Sequence, residues 1–291
     1  MSDSAVRQPS APQRPPVVDA HVHFWDAARG DDILVMRRFP NLRRRATPAD
    51  LRPLLDASLI DRAVIVQAAP STDETRYLLS IAREVDWIAG VVGWVDLHDA
   101  DVGAVLAELA ANPRFRGVRA MLHRIAEPDW IADAATARGL ATLARHDVTL
   151  DVTAAPHHLE PLLRAFRGLP ELRVVVDHGG TPAIAARAWD DWAPRIAALA
   201  RDTSVRCKLS GLVEEAAPDW TLEDLLPYAD HLLHCFGPAR IIAASNWPVV
   251  ELAGGHRRWW TTMLALLDRI GLDAEERAQV LGGTAATTYR I

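Results

Sequence analysis

The chain has 291 residues, 49% of them apolar, and a net charge of −6 at neutral pH. That length suits one large α/β barrel, and the acidic balance with mostly scattered basic residues argues against a nucleic-acid partner. No apolar run approaches the ~20 residues of a membrane span, and two cysteines, Cys207 and Cys235, make no disulfide framework. A reducing, cytoplasmic setting is the expectation.

Residues 1–16, rich in Pro, Ser and Gln, hold no apolar stretch suited to a signal peptide and are expected to form a disordered tail. From residue 17 a rhythm begins of short β-branched run, loop and amphipathic helix. The predicted strands cover 17–24, 62–69, 88–96, 116–122, 147–154, 172–179, 204–211 and 240–247. Between them lie helical patterns such as TPADLRPLLDASL, with a Thr cap and Pro in its first turn, and STDETRYLLSIAREV, with a capping-box-like Thr72–Thr75 region. The last stretch, DAEERAQVLGGTAATTYRI, reads as a terminal helix capped by Gly282 and Gly283.

Strands alternating with helices indicate a parallel sheet, because parallel neighbours need crossover connections. Eight such units predict a (β/α)8 TIM barrel occupying 17–291 as one domain. An open doubly wound sheet is the alternative; it would want a Gly-rich phosphate turn after the first strand, where the sequence has HVHFWD instead.

A barrel draws its chemistry from the C-terminal ends of its strands. Polar residues gather there: His21 and His23, Arg119 and His123, Asp177 and His178, Lys208 and Ser210, and Ser245 and Asn246. The opening stretch VVDAHVHFWD places Asp19, His21 and His23 two apart, so an extended strand would show all three on one face. Two neutral imidazoles so placed can serve one divalent metal if their rings converge. Trp25 can stack on a sugar ring or pack at the barrel mouth. Lys208 and Asp151 either bind substrate hydroxyls or pair inside the barrel. The basic run MRRFPNLRRR (36–45) reads as a solvated loop, a subunit contact or a seat for an acidic substrate group.

DAHVHFWD resembles the first-strand signature of the amidohydrolase superfamily. RGVR (116–119), VVDHGG (175–180), CKLSGL (207–212) and FGPARIIAASNWPV (236–249) resemble its lactonase branch, which opens sugar-acid lactones and 2-pyrone-4,6-dicarboxylate. The resemblance spans about Val17 to the C-terminus. It implies a (β/α)8 barrel that hydrolyses a cyclic ester, a small-molecule lactone. It matches His21 and His23 to first-strand histidines that bind a metal or the substrate carbonyl region and His178 to the histidine of the DHGG motif, the three together being the candidate metal ligands if their rings converge. Arg119 matches a residue that holds a substrate oxyanion or carboxylate. One divalent metal, zinc for imidazole ligands, and metal-independent catalysis are both consistent with it.

Asn246 stands where the SDWP motif of that family carries the aspartate that deprotonates water. An amide has no basic oxygen for this, so the expectation is an impaired enzyme. A decarboxylase of the same superfamily and a ligand-binding barrel that has lost its base are the alternatives. The apolar patterning neither demands nor forbids an oligomer.

Overall fold

The computed structural model describes residues 15–291. The tail expected over 1–16 lies outside the described residues except for its last two. Eight parallel strands pair in chain order: β1 (Val18–Val22), β2 (Arg62–Val66), β3 (Ile88–Gly93), β4 (Phe115–Met121), β5 (Thr149–Thr153), β6 (Val174–Val176), β7 (Arg206–Leu209) and β8 (Ile241–Ala243). β8 returns to β1 through the Val22–Trp247 bridge, where His23 N donates to Trp247 O at 2.7 Å and Asn246 N to His21 O at 2.9 Å. The product is a (β/α)8 barrel.

A short helix α1 (Leu34–Arg38) sits in the loop after β1. The crossover helices are α2 (Pro48–Ala57), α3 (Thr72–Glu84), α4 (Val102–Ala110), α5 (Ala134–Arg145), α6 (Leu159–Phe166), α7 (Trp189–Asp202), α8 (Leu222–Phe236) and α9 (His256–Ile270). Their starts are locally encoded. Thr47 and Asp50 close a capping box on α2, Asp133 caps α5, and Thr221 and Asp224 cap α8. On α3 the cap is Ser71 rather than the Thr72–Thr75 region: its hydroxyl accepts from Glu74 N at 3.0 Å. Thr75 turns its hydroxyl to Ser71 O (3.1 Å) and to Trp94 N (2.8 Å).

Two apolar layers result. Outward strand residues such as Ala63, Ile65, Leu150, Val152, Cys207 and Leu209 pack under the helices. Inside the barrel, Val18, Ala20, Val64, Val66, Val92, Val175, Ile242 and Ala244 form a second cluster, sealed by Tyr289 of the terminal helix α11 (Thr284–Tyr289). That end departs from expectation. Gly282 and Gly283 do not stop a helix; they lie in a π-helical turn, Gln279–Gly283, joining α10 (Ala274–Ala278) to α11. Gly283 keeps helical angles, and a Cβ on Gly282 would fall 1.9 Å from Pro16 O, so closeness to the N-terminal segment selects glycine there. No helix among the described residues is long and apolar enough to cross a membrane.

Candidate active site

The first strand does not show Asp19, His21 and His23 on one face. Its pairing with β2 shifts register between Asp19 and Val22. Before the shift, Val18 and Ala20 join the barrel interior while Asp19 faces the outer layer. There Asp19 accepts from Ser245 N (2.8 Å) and lies 3.2 Å from His256 Nε2 on α9. Beyond the shift, His21 and His23 both turn inward. Asp19 therefore ties β1 to β8 and α9 instead of joining the site.

Beneath the mouth lies a fully buried charge cluster. The Lys208 ammonium is 2.5 Å from Asp151 Oδ2, 3.0 Å from Asp177 Oδ1 and 3.0 Å from His21 Nδ1. Tyr289 donates its hydroxyl to Asp151 at 2.9 Å, and Thr153 donates to Asp177 Oδ2 at 2.9 Å. Burial alone would raise Asp177, but Lys208 and His21 hold it well below the usual carboxylate range. Burial, only partly offset by Lys208, pushes Asp151 upward. Of the two readings of Lys208, the structure shows internal pairing: it is paired with Asp151 and Asp177 and does not line the cavity as a substrate-binding residue would. His21 is likewise covered and reaches the cavity only through its neighbours.

Above this cluster opens a cavity of about 550 Å³, within the roughly 300–1,000 Å³ usual for small-molecule sites. His23, Trp25, Arg119, His123, His178, Glu214 and Asn246 all line it. Arg119 is fixed by a short hydrogen bond from Nη2 to Gln67 O and by Nη1 lying 3.3 Å from His21 Nε2. Its Nε is buried without a hydrogen-bond partner, as is Trp25 Nε1. Two residues of the wall therefore each carry a buried donor without a partner. Trp25 also stacks on His23, with ring centroids 6.0 Å apart, so packing and cavity lining coexist. His123 stands exposed at the rim. Apolar Leu34, Val35, Phe39, Val249 and Leu252 complete the mouth together with Arg38, so the basic run 36–45 reaches it through Arg38 and Phe39.

His178 adopts a left-handed backbone, φ 56°, in the turn after β6, and its Nδ1 lies 2.8 Å from Ser210 Oγ. Gly211 makes room for it: a Cβ there would sit 2.5 Å from His178 Cβ. Burial, helped by the charge of Arg119, drops His23 to about 3. Burial likewise drops His178 to about 4, and burial together with Lys208 puts His21 well below its ordinary value. All three imidazoles are neutral at neutral pH.

Asn246 also takes a left-handed conformation, φ 63°, which asparagine tolerates well. Its Oδ1 lies 3.3 Å from His23 Nε2, and its Nδ2 donates to Glu214 Oε1 at 2.9 Å. The motif search passed over Glu214 and named Asp177 only as a strand-end residue. A carboxylate pair five to seven residues beyond Lys208–Leu209, in a loop where barrels carry chemistry, was the available signal.

Among the described residues, the group that could hold a metal ion is His21, Asp177 and His178, whose donor atoms lie within 4.8 Å of one another. Asp177 stands in this group in place of the His23 of the expected trio, while His23 Nδ1 faces Val66 O at 2.8 Å and Nε2 faces Asn246. Two neutral imidazoles and an ionised carboxylate are donors of the right type for a divalent ion, and an ion there would have to displace Lys208 from His21 Nδ1 and Asp177 Oδ1 or Arg119 from His21 Nε2.

This geometry agrees with what the chain is similar to. It is 40% identical over 277 residues to an L-fucono-1,5-lactonase of Burkholderia ambifaria, covering 94% of this chain and 95% of that one. A second L-fucono-1,5-lactonase, from Burkholderia multivorans, is 34% identical over 94% of this chain and 96% of its own. A zinc-bound amidohydrolase structure from Burkholderia multivorans superposes with a TM-score of 0.88 at 33% identity, over 95% of this chain and 99% of that one. The amidohydrolase family itself matches residues 18–291, and with that match this chain belongs to the amidohydrolase family.

Proposed function

We propose that the protein hydrolyses the 1,5-lactone of a sugar acid, with L-fucono-1,5-lactone as the first substrate to test. The observation that carries this is 40% identity, sustained over 94% of the chain, to a protein named for that reaction. The cavity supports it. Arg119 offers its free Nε–H to the carbonyl oxygen, where charge develops in the transition state. Trp25 offers Nε1–H and a ring face to the sugar, while His123 and Arg38 border the entrance. His178 and His23 are neutral hydrogen-bonding groups beside the reacting centre, and Asn246 orients water without deprotonating it. Through position 246 alone, hydrolysis would run about 10²–10⁴-fold below a site with a carboxylate there.

Zinc is the ion this donor set favours, and on His21, Asp177 and His178 it would supply Lewis-acid polarisation of the carbonyl. The Arg119 donor serves the carbonyl oxygen with or without it. Residues 17–291 form the catalytic domain in this reading, acting in a reducing cytoplasm. The test is a pH-indicator assay on a panel of aldono-, aldaro- and pyrone-type lactones, each with chelator or added zinc. Turnover of the 1,5-lactones well above the spontaneous rate is expected. A folded protein that opens no lactone, while still binding sugar acids, would refute the reading in favour of a binding barrel.

A further inference from the structure

We propose that Glu214, in the loop after β7, is the proton acceptor for the attacking water, acting in place of the amide at position 246. The inference rests on the lactone-hydrolase reading and deepens it. The carboxylate lines the same cavity as His23, Arg119, His178 and Asn246. Its Oε1 accepts from Asn246 Nδ2 at 2.9 Å, and its Oε2 is buried with no hydrogen-bond partner. An unpaired carboxylate oxygen buried beside a cavity that its own residue lines is costly unless a small movement brings it a partner from that cavity.

The other acidic groups are unsuited to the task. Asp151 and Asp177 are engaged by Lys208 below the cavity floor. Glu215 shares the wall, but the carboxylate that Asn246 Nδ2 donates to is that of Glu214. Burial lifts the Glu214 carboxyl to about 7, where a general base works best at neutral pH. The charged and titratable groups around it in the wall are Glu215, Arg38, Arg119, His23, His123 and His178.

The hydrogen-bond pattern also favours proton uptake. A neutral imidazole has one N–H. In His23 it goes to Val66 O, so Nε2 presents a lone pair to Asn246 Oδ1 at 3.3 Å. Acceptor then faces acceptor while Glu214 is ionised. Once Glu214 is protonated, the amide can turn over: the carboxylic O–H donates to Oδ1, and Nδ2 donates to His23 Nε2. Every group is then paired.

The step balances as follows. The water oxygen bonds to the lactone carbonyl carbon, the C=O pair moves onto oxygen facing Arg119, and the water proton passes to Glu214. Collapse re-forms C=O and breaks the bond to the ring oxygen, which takes the proton back from Glu214. The hydroxy acid formed then ionises in solvent.

The experiment compares kcat and KM for L-fucono-1,5-lactone from pH 5 to 9 in the parent, Glu214→Gln, Asn246→Asp and the double variant. Only the ionised base works, so the parent's kcat/KM should rise with pH to a plateau above about 7. Glu214→Gln, which keeps shape and an acceptor for Asn246, should lower kcat about 10²–10⁴-fold, leave KM within about threefold and abolish the acidic limb. In Asn246→Asp the two carboxylates would share a proton, and the limb should move to higher pH. Adding Asn246→Asp to Glu214→Gln should recover at least about tenfold in kcat by returning one carboxylate to the pair. An active parent whose Glu214→Gln form keeps both rate and limb overturns the assignment alone. A folded parent without turnover on any lactone overturns the assignment and the lactone reading together.

Discussion

Replacing Lys208 by Met tests the charge cluster on which the cavity floor rests. Met keeps most of the apolar stem and removes only the ammonium. At an effective dielectric of ~20, unit charges 3 Å apart attract by roughly 5 kcal/mol, and Lys208 faces two carboxylates at 2.5 and 3.0 Å. The desolvation cost of the ammonium offsets several kcal/mol of that gain, and breaking one partner out of a buried pair typically costs about 3–5 kcal/mol. In the variant, Asp177 would keep the Thr153 hydroxyl, His21 Nδ1 at 3.3 Å and the more distant Arg119 at 3.8 Å, and Asp151 the Tyr289 hydroxyl. A carboxyl left in this position titrates above its unfolded value. Its stability is then full below about pH 4 and is lost as pH rises through the folded value, at about 1.4 kcal/mol per pH unit for one proton. Guanidinium unfolding of parent and variant at pH 5.5 and 8 reads this directly, because the histidines and glutamates that titrate in both forms cancel in the difference. The expected loss is about 3–5 kcal/mol at pH 8 and clearly less at pH 5.5. A loss under about 1 kcal/mol at pH 8, or one independent of pH, would falsify the view of Lys208 as the counter-charge of this cluster.

Arg119→Met should lower kcat by about 10²–10³ if its Nε–H meets the developing oxyanion, and a rate within threefold of the parent argues against that role. Gly211→Ala places a methyl 2.5 Å from His178 Cβ at φ +68°; thermal melts should show a loss of about 1–3 kcal/mol, with kcat reduced because His178 is displaced. Tyr289→Phe removes the 2.9 Å donor to Asp151 and should cost about 1–3 kcal/mol by denaturant titration. Its KM should stay unchanged, since Tyr289 lies inside the barrel, away from the cavity wall.

The barrel was legible because its strands are buried on both faces, so each reads as a continuous apolar run broken by a helix period. Caps at Thr47 and Thr221 are local chemistry and read equally well. Two errors have one cause. The face of Asp19 turns on a register shift against β2, and the glycine at 282 answers to the N-terminal segment packing against it. Neither partner is adjacent in sequence, so alternation and composition gave no sign of it.

The site shows the same division more sharply. Residue types at strand ends named His23, Arg119, His178 and Asn246, because barrels place chemistry there whatever the reaction. Depth along the strand was invisible. Lys208 and His21 carry the same residue signals as wall residues, yet the one is neutralised by Asp151 and Asp177 and both are covered. Reading Asn246 as a lost base treated the position as isolated. The fold brings it within a hydrogen bond of Glu214, 32 residues away, so carboxylate and amide form one unit. Whether an amide in place of a family aspartate is damage or exchange depends on that contact, which no spacing rule within either motif contains.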